Sequence, residues 1–234
     1  MPSNYKAHTI YKLSDGTRVP SVTTVLGQLN KPALVDWSHK LGLEGLDYRL
    51  VSAEAQAVGS CVHRAIALFY GGVALEEQHD ILREDGFSED IITKASPSLY
   101  GFQKWHESMH QYIVRQCEHS MTSEEYRYGG TEDLLLQHML TGKFVIVDFK
   151  SSGSIWDEHR TQIGAYHKLV EETLLANQVT GVDEGMIVRL DKVESGAVDV
   201  AHLTHAQLEF QFKLFKHLLD YYNDKRQGRE QTDD

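Results

Sequence analysis

Hydrophobic and polar positions change rhythm midway along the chain. Up to about residue 117 they mostly follow a helical spacing; after it come short apolar runs broken by glycine. Within the first thirty residues, Asp15-Gly16 predicts a turn between two short strands. Pro32 suits the first turn of a helix carrying Leu34, Val35, Trp37 and Leu41 and ended or bent at Gly42. Ser52 is expected to cap a helix that runs to Tyr70 and stops at Gly71-Gly72. Residues 75–83 and 88–95 read as short helices and 97–117 as a longer one. Beyond Gly129-Gly130, the Leu134-Leu135-Leu136 run and the β-branched run 144–147 read as strands. Residues 157 to about 176 predict a helix, and 186–190 and 197–203 predict strands parted by a turn at Ser195-Gly196. Thr204 and Gln207 fit a capping box for a last helix, with Leu208, Phe212, Phe215, Leu218, Leu219 and Tyr222 as core. From Lys225 onward the tail is polar and expected to fray. The expected class is α/β, a mixed central β-sheet flanked by helices, with a helical N-terminal region. One domain is expected over 1–234, divided into a mainly helical region 1–117, an αβ core 118–224 and the tail 225–234.

Composition narrows the class. With 41% hydrophobic and 24% charged residues, the chain has ordinary globular usage, which excludes a mostly disordered or low-complexity protein. No apolar run approaches the ~20 residues that span a bilayer, and the first ten residues show no apolar signal-peptide region. The two cysteines, Cys61 and Cys117, make no CxxC pair and suit a reducing, cytoplasmic compartment. The net charge of −11 argues against a broad basic surface for nucleic acid, yet a local cationic groove or a bound cation can outweigh it near a phosphate.

Candidate chemistry begins where the 144–147 run turns into Asp148-Phe149-Lys150. Alternation puts Asp148 and Lys150 on one face and Phe149 on the other. Alone, such a triplet is as well read as a surface ion pair worth about 0–1 kcal/mol. Asp133 changes that reading. A hairpin turning near Leu140-Thr141-Gly142 sets it across from about residue 148 or 149. Two carboxylates at one sheet end are costly without a counter-cation, and oxygen ligands suit Mg²⁺ or Mn²⁺. Asp133 alone reads equally as a turn cap. Gln162 and Tyr166, four apart, share a helix face. They can serve a phosphate, a water or the nucleic-acid backbone at that sheet end, or be plain helix core.

The ordered series Gly130-Thr131-x-Asp133, Asp148-x-Lys150 and Gln162-x3-Tyr166 resembles the RecB-type branch of the PD-(D/E)XK nuclease superfamily. Upstream, Gly59-Ser60-Cys61-Val62-His63 resembles that branch's Gly-x-x-x-His segment. The stretch Pro20-Ser21-Val22-Thr23-Thr24-Val25-Leu26, with Lys31 and Trp37, is similar to mitochondrial genome maintenance exonucleases and related phage nucleases. The resemblance spans roughly residues 20 to 170. It implies a restriction-endonuclease-like core in which His63, Asp133, Asp148 and the Phe149 carbonyl hold Mg²⁺ or Mn²⁺, and Asp133, Asp148 and Lys150 are catalytic. Glu118, Gln162, Tyr166, Ser151, Ser152, Ser21, Thr23 and Thr24 would support the site or bind DNA. Glu118 reads equally as a surface or strand-capping acid, and Ser21, Thr23 and Thr24 equally as ordinary strand residues. His159 reads as part of a solvated helix face.

The function implied is a metal-dependent exonuclease acting on single-stranded DNA or DNA with a free end. It would serve recombination or DNA processing in a bacterial or phage-infected cytoplasm, with a recombination or single-strand-binding protein as partner. The alternatives are a structure-specific endonuclease of the same superfamily and a non-catalytic DNA-binding accessory protein. Intact Asp133, Asp148 and Lys150 argue against the last. Two cysteines cannot supply the four thiolates of the iron–sulphur subgroup, and no GxxxxGK[ST] loop is present for an ATP-driven motor.

Overall fold

The computed structural model describes residues 9–175, 181–194 and 196–232. Five helices come first: α1 (Val22–Leu26), α2 (Pro32–Leu43), α3 (Tyr48–Tyr70), α4 (Leu75–Glu84) and α5 (Glu89–Ser108). Then follow β1 (Tyr112–Ser123), β2 (Tyr128–His138), β3 (Phe144–Lys150), α6 (Asp157–Leu175), β4 (Glu184–Leu190), β5 (Val198–Thr204) and α7 (His205–Thr232). The strands form one sheet in the order β1-β2-β3-β4-β5. Only β3 and β4 run parallel, joined across α6; the other neighbours are antiparallel. The architecture is therefore α/β, with a mixed central sheet flanked by helices and a helical N-terminal region, as the apolar pattern predicts. Among the described residues no helix is long and apolar enough to cross a membrane.

The sheet is covered on both faces, which is why β3 reads as a continuous apolar run. Leu135, Ile146 and Ile187 join Ile163, Leu169, Leu208 and Phe215 in one core. Leu134, Val145, Val147, Phe149 and Val188 join Val62, Ile66, Phe102 and Trp105 in the other. The first core lies under α1, α6 and α7, the second under α3, α4 and α5.

Four boundaries differ from the sequence pattern. Helix α3 starts at Tyr48, capped by Asp47, whose carboxylate accepts the Arg49 N–H; Ser52 lies inside it. Its buried side chains begin only at Val58, so the first turns carry no apolar signal. The expected break at Pro97 is absent: α5 runs through it. A proline inside a helix costs about 3 kcal/mol, but Ile92, Ala95, Ser98, Phe102 and Trp105 make one buried stripe that spans it. The helix expected to reach Cys117 ends at Ser108, and residues 112–123 are the edge strand β1. With Ile113 and Val114 facing solvent, β1 lacks the apolar alternation that marks a strand. Finally, α7 continues to Thr232, past the expected fraying point.

The first hairpin is reduced to a single bridge between Lys12 and Arg18 around the Asp15-Gly16 turn. Met1 to His8, Ala176, Ser195, Asp233 and Asp234, on which parts of the sequence reading fall, lie outside the described residues.

Candidate active site

Three neighbouring strands deliver the acids. On β2, Asp133 sits one step beyond the Leu134–Val147 pair, which sets it across from Asp148 on β3. On its other side it faces Glu118 of β1, between the pairs Cys117–Leu134 and His119–Glu132. The hairpin register expected from Thr141-Gly142 is thus the observed one. Asp133 Oδ2 accepts a 2.6 Å hydrogen bond from the Phe149 backbone N–H. Its Oδ1 lies 3.2 Å from His63 Nδ1, and Glu118 Oε1 lies 3.6 Å from the same nitrogen. His63 comes from α3, a helix of the N-terminal region, so this contact is wholly tertiary.

Asp148 is only 1% exposed. Its Oδ2 meets Lys150 Nζ at 2.7 Å as an ion pair, and neither carboxylate oxygen has a hydrogen-bond partner among the described residues. The alternation expected for Asp148-Phe149-Lys150 holds, since the Phe149 ring turns away into edge contacts with Phe102 and Trp105. Glu118 adopts a φ of 51°, a left-handed conformation that costs a non-glycine residue about 1–3 kcal/mol. That strain sits where the edge strand brings its carboxylate to the cluster.

Charges and burial set the titration of this group. Burial pushes the Asp148 carboxyl up to about 6; Lys150 pulls it down and Asp133 pushes it up. Burial opposes ionisation of Asp133 as well, but His63 and Lys150 hold it below the usual carboxylate range. Burial would lower His63; Asp133 and Glu118 overcome that and hold it well above its ordinary value. Glu118 is raised, chiefly by burial.

The donor set fits a hard divalent cation. One atom each from His63, Glu118 and Asp133 lies within 4.8 Å of the others. The buried Asp148 Oδ1, without a hydrogen-bond partner among the described residues, is an acceptor open to a cation, a proton or a water.

Gln162 and Tyr166 behave as one unit on α6, with Gln162 Nε2 donating to Tyr166 Oη at 2.9 Å. The Tyr166 hydroxyl is raised well above its usual range, first by burial and then by the charge of Asp148, which ties it to the site. Gly130 is needed for this approach: a Cβ there would sit 2.6 Å from the Tyr166 ring. Ser151 packs against Gly59, where a Cβ would stand 3.1 Å from its Oγ, and Ser152 Oγ donates to the Ser154 carbonyl at 2.7 Å.

A cleft of about 1340 Å³ opens onto the cluster and reaches His63, Glu118, Phe149, Lys150, Ser151 and Ser152. Lys31, Trp37, Trp156 and Lys192 line its outer part. Sequence reading did not single out Trp156 or Lys192; a tryptophan in the loop after Asp-x-Lys was the available signal.

Two expectations change. Ser21, Thr23 and Thr24 do not form a strand: Ser21 caps α1, its Oγ accepting from the Thr24 N–H at 3.0 Å and bonding both threonine hydroxyls. None of the three borders the cleft. His159 is not on a solvated face. It is buried, its Nδ1 accepts the Trp156 N–H, and burial with Lys150 and Lys31 brings it down to about 3, so it is neutral.

No protein-family model and no curated protein matches this chain. Among solved structures, it is similar to a "Putative exonuclease" from Eubacterium rectale, at 17% identity and a TM-score of 0.47, over 70% of this chain and 64% of that one. The chain thus spans less than two thirds of that protein. It is also similar to the crystal structure of SSO0001, at 14% identity and a TM-score of 0.32, over 69% of this chain and 74% of that one.

Proposed function

We propose that this chain is a divalent-metal-dependent deoxyribonuclease that removes nucleotides from DNA ends. The observation that carries the reading is Asp148: a buried carboxylate ion-paired with Lys150, neither oxygen hydrogen-bonded among the described residues, beside Asp133 and next to a cleft that His63, Glu118 and Lys150 line. His63, Glu118, Asp133 and Asp148 would hold Mg²⁺ or Mn²⁺, together with the Phe149 carbonyl that the sequence resemblance implies. The bound cation would supply a more acidic water and neutralise charge developing on phosphorus.

This chain's own groups do the rest. Lys150 Nζ, fixed 2.7 Å from Asp148, is positioned to hold a water or a phosphate oxygen by hydrogen bond and charge. Asp133 is oriented by the Phe149 N–H, so its other oxygen, 3.2 Å from His63 Nδ1, keeps one direction. The Gln162–Tyr166 pair offers polar contacts beside the acids. Along the cleft, Lys31 and Lys192 provide cationic contacts for a phosphate backbone, and Trp37 and Trp156 provide stacking surfaces. Asp157 and Glu158 also line the cleft, with Lys31 paired to Glu158 at 2.7 Å, so a bound cation together with the lysines would offset the net charge of −11 near a phosphate. A single strand threading the cleft would account for end dependence, and a role in DNA processing or recombination follows from that substrate.

The test is incubation of purified protein with end-labelled linear and closed circular single-stranded DNA, with Mg²⁺, Mn²⁺, Ca²⁺ or EDTA. Linear DNA should be degraded with Mg²⁺ or Mn²⁺, and EDTA should abolish this. Efficient nicking of the circle would replace the exonuclease reading with an endonuclease. Binding without cleavage under every condition would leave an accessory DNA-binding protein.

A further inference from the structure

A second histidine–carboxylate cluster lies between α6 and the start of α7. His167 and Glu171 are four apart on α6 and face one way. His205 is the first residue of α7. One donor atom from each of the three lies within 4.8 Å of the others. The His167 ring is fully buried, and neither of its nitrogens has a hydrogen-bond partner among the described residues. Its Nε2 lies 3.1 Å from Glu171 Oε1, off the hydrogen-bonding direction, and Nδ1 is 3.8 Å from Glu209 Oε1. The buried imidazole thus stands between two carboxylates with no aligned hydrogen bond to either.

We propose that His167, Glu171 and His205 form a zinc-type divalent cation site that clips α6 to α7. The donor chemistry selects the metal class. Two imidazoles and one carboxylate suit Zn²⁺ and similar transition metals rather than Mg²⁺. Ligand atoms about 2.0–2.1 Å from a tetrahedral ion stand about 3.3 Å apart, so the His167–Glu171 separation already fits one edge. His205 is half exposed; its Nδ1 stands 4.0 Å from Glu171 Oε1 and 2.9 Å from the Val182 carbonyl, so its ring would turn to present a nitrogen to the ion.

The rival reading is an ion-pair cluster, in which His167 is an imidazolium between Glu171 and Glu209, with Lys168 Nζ 3.4 Å from Glu171 Oε2. That arrangement gains nothing from added metal, so the two readings separate cleanly.

The inference does not depend on the nuclease reading. The experiment uses the full chain carrying His63→Ala and Asp133→Asn, which removes two of the three clustered donors of the other cation site. After stripping with EDTA, Zn²⁺ is titrated calorimetrically, with circular dichroism as the check on folding. One equivalent of Zn²⁺ should bind. Adding His205→Ala should weaken it by at least about 10- to 100-fold, since loss of even an outer-shell partner costs that much. His167→Gln should do the same, and Zn²⁺ should raise the Tm of the first protein but of neither further variant. His205 is half exposed, so its variant decides should His167→Gln fold poorly. Zinc binding unchanged by His205→Ala, or no zinc binding at all, would overturn the site. Failure of the nuclease reading would show separately, as DNA cleavage undiminished by Asp148→Asn.

Discussion

Asp148 and Glu132 are both buried carboxylates on neighbouring strands, and their surroundings differ. Glu132, one residue before Asp133 on β2, is fully buried with both carboxylate oxygens unpartnered. Burial pushes it up to about 9, and the charges of Asp133 and Glu118 add to that. Asp148 is buried to the same degree but has Lys150 against it, and settles at about 6. Burial alone therefore makes a carboxyl that stays protonated at neutral pH. A buried carboxyl with a cation beside it and a cleft at its door can be an anion and a ligand. The difference lies in what surrounds each acid, since depth in the fold is the same.

The strongest way to break this contrast is to remove the working acid. Asp148→Asn should lower DNA cleavage by at least about 10²-fold, the scale of a positioned catalytic group. Single-turnover assays of the folded variant check this, and near-normal turnover would reduce Asp-x-Lys to a surface pair. Lys150→Ala should also cost roughly 10²-fold and make Asp148 more like Glu132. Without the ammonium, burial acts unopposed by it, so the acid limb of the pH–rate profile should move to higher pH. A loss of rate with an unmoved acid limb would show that Lys150 does not tune Asp148.

His63→Ala is expected to have an intermediate effect. It should raise the Mn²⁺ concentration needed for half-maximal activity by roughly 10- to 100-fold, with partial rescue at high Mn²⁺. An unchanged metal titration would remove His63 from the ligand set.

A cation at this site would compete with protons, and the sign follows from the shifts. Asp148 is raised above its unfolded value, so its share of stability is present below about pH 4 and lost as pH rises through about 6. His63 is also raised; its share is present below its ordinary value near 6.5 and lost at higher pH. A cation replaces these protons. The rise in Tm on adding Mg²⁺ should therefore be small at pH 5 and grow towards pH 8, as thermal melts would show. A pH-independent rise would contradict competition between protons and metal.

The smallest effect belongs to the other acid. Glu132 contributes stability that is present below about pH 4.5 and lost as pH rises towards about 9. Glu132→Gln keeps the shape without the charge. It should raise Tm at pH 8 by several degrees, at ~2–4 °C per kcal/mol for a chain of this size, do little at pH 4, and leave cleavage unchanged. Lost cleavage would place Glu132 in the site and erase the contrast.

How much of this was legible depends on the range of each interaction. The apolar run 144–147 followed by Asp148-x-Lys150, and the Thr141-Gly142 turn that sets Asp133 across from Asp148, are local facts. Alternation and hairpin register turn them directly into a sheet-end pair. The pairing of Gln162 with Tyr166 follows in the same way from helical spacing. The edge strand β1 was not legible, because its apolar Ile113 and Val114 are adjacent and both exposed, so it lacks the alternation of a half-buried strand. Nor was the continuity of α5 through Pro97, because packing outweighs a local propensity.

The sequence by itself determined the class of fold, the acids and the lysine, since each rests on neighbours a few residues apart. Only the tertiary structure decided that His63 from α3 and Glu118 from β1 reach Asp133, that Asp148 is buried with Lys150 as its ion-pair partner, and that His205 meets His167 and Glu171. The physical reason is that these depend on how helices settle on a sheet. Side chains distant in sequence are brought within a few ångströms by the burial of apolar surface that none of them belongs to.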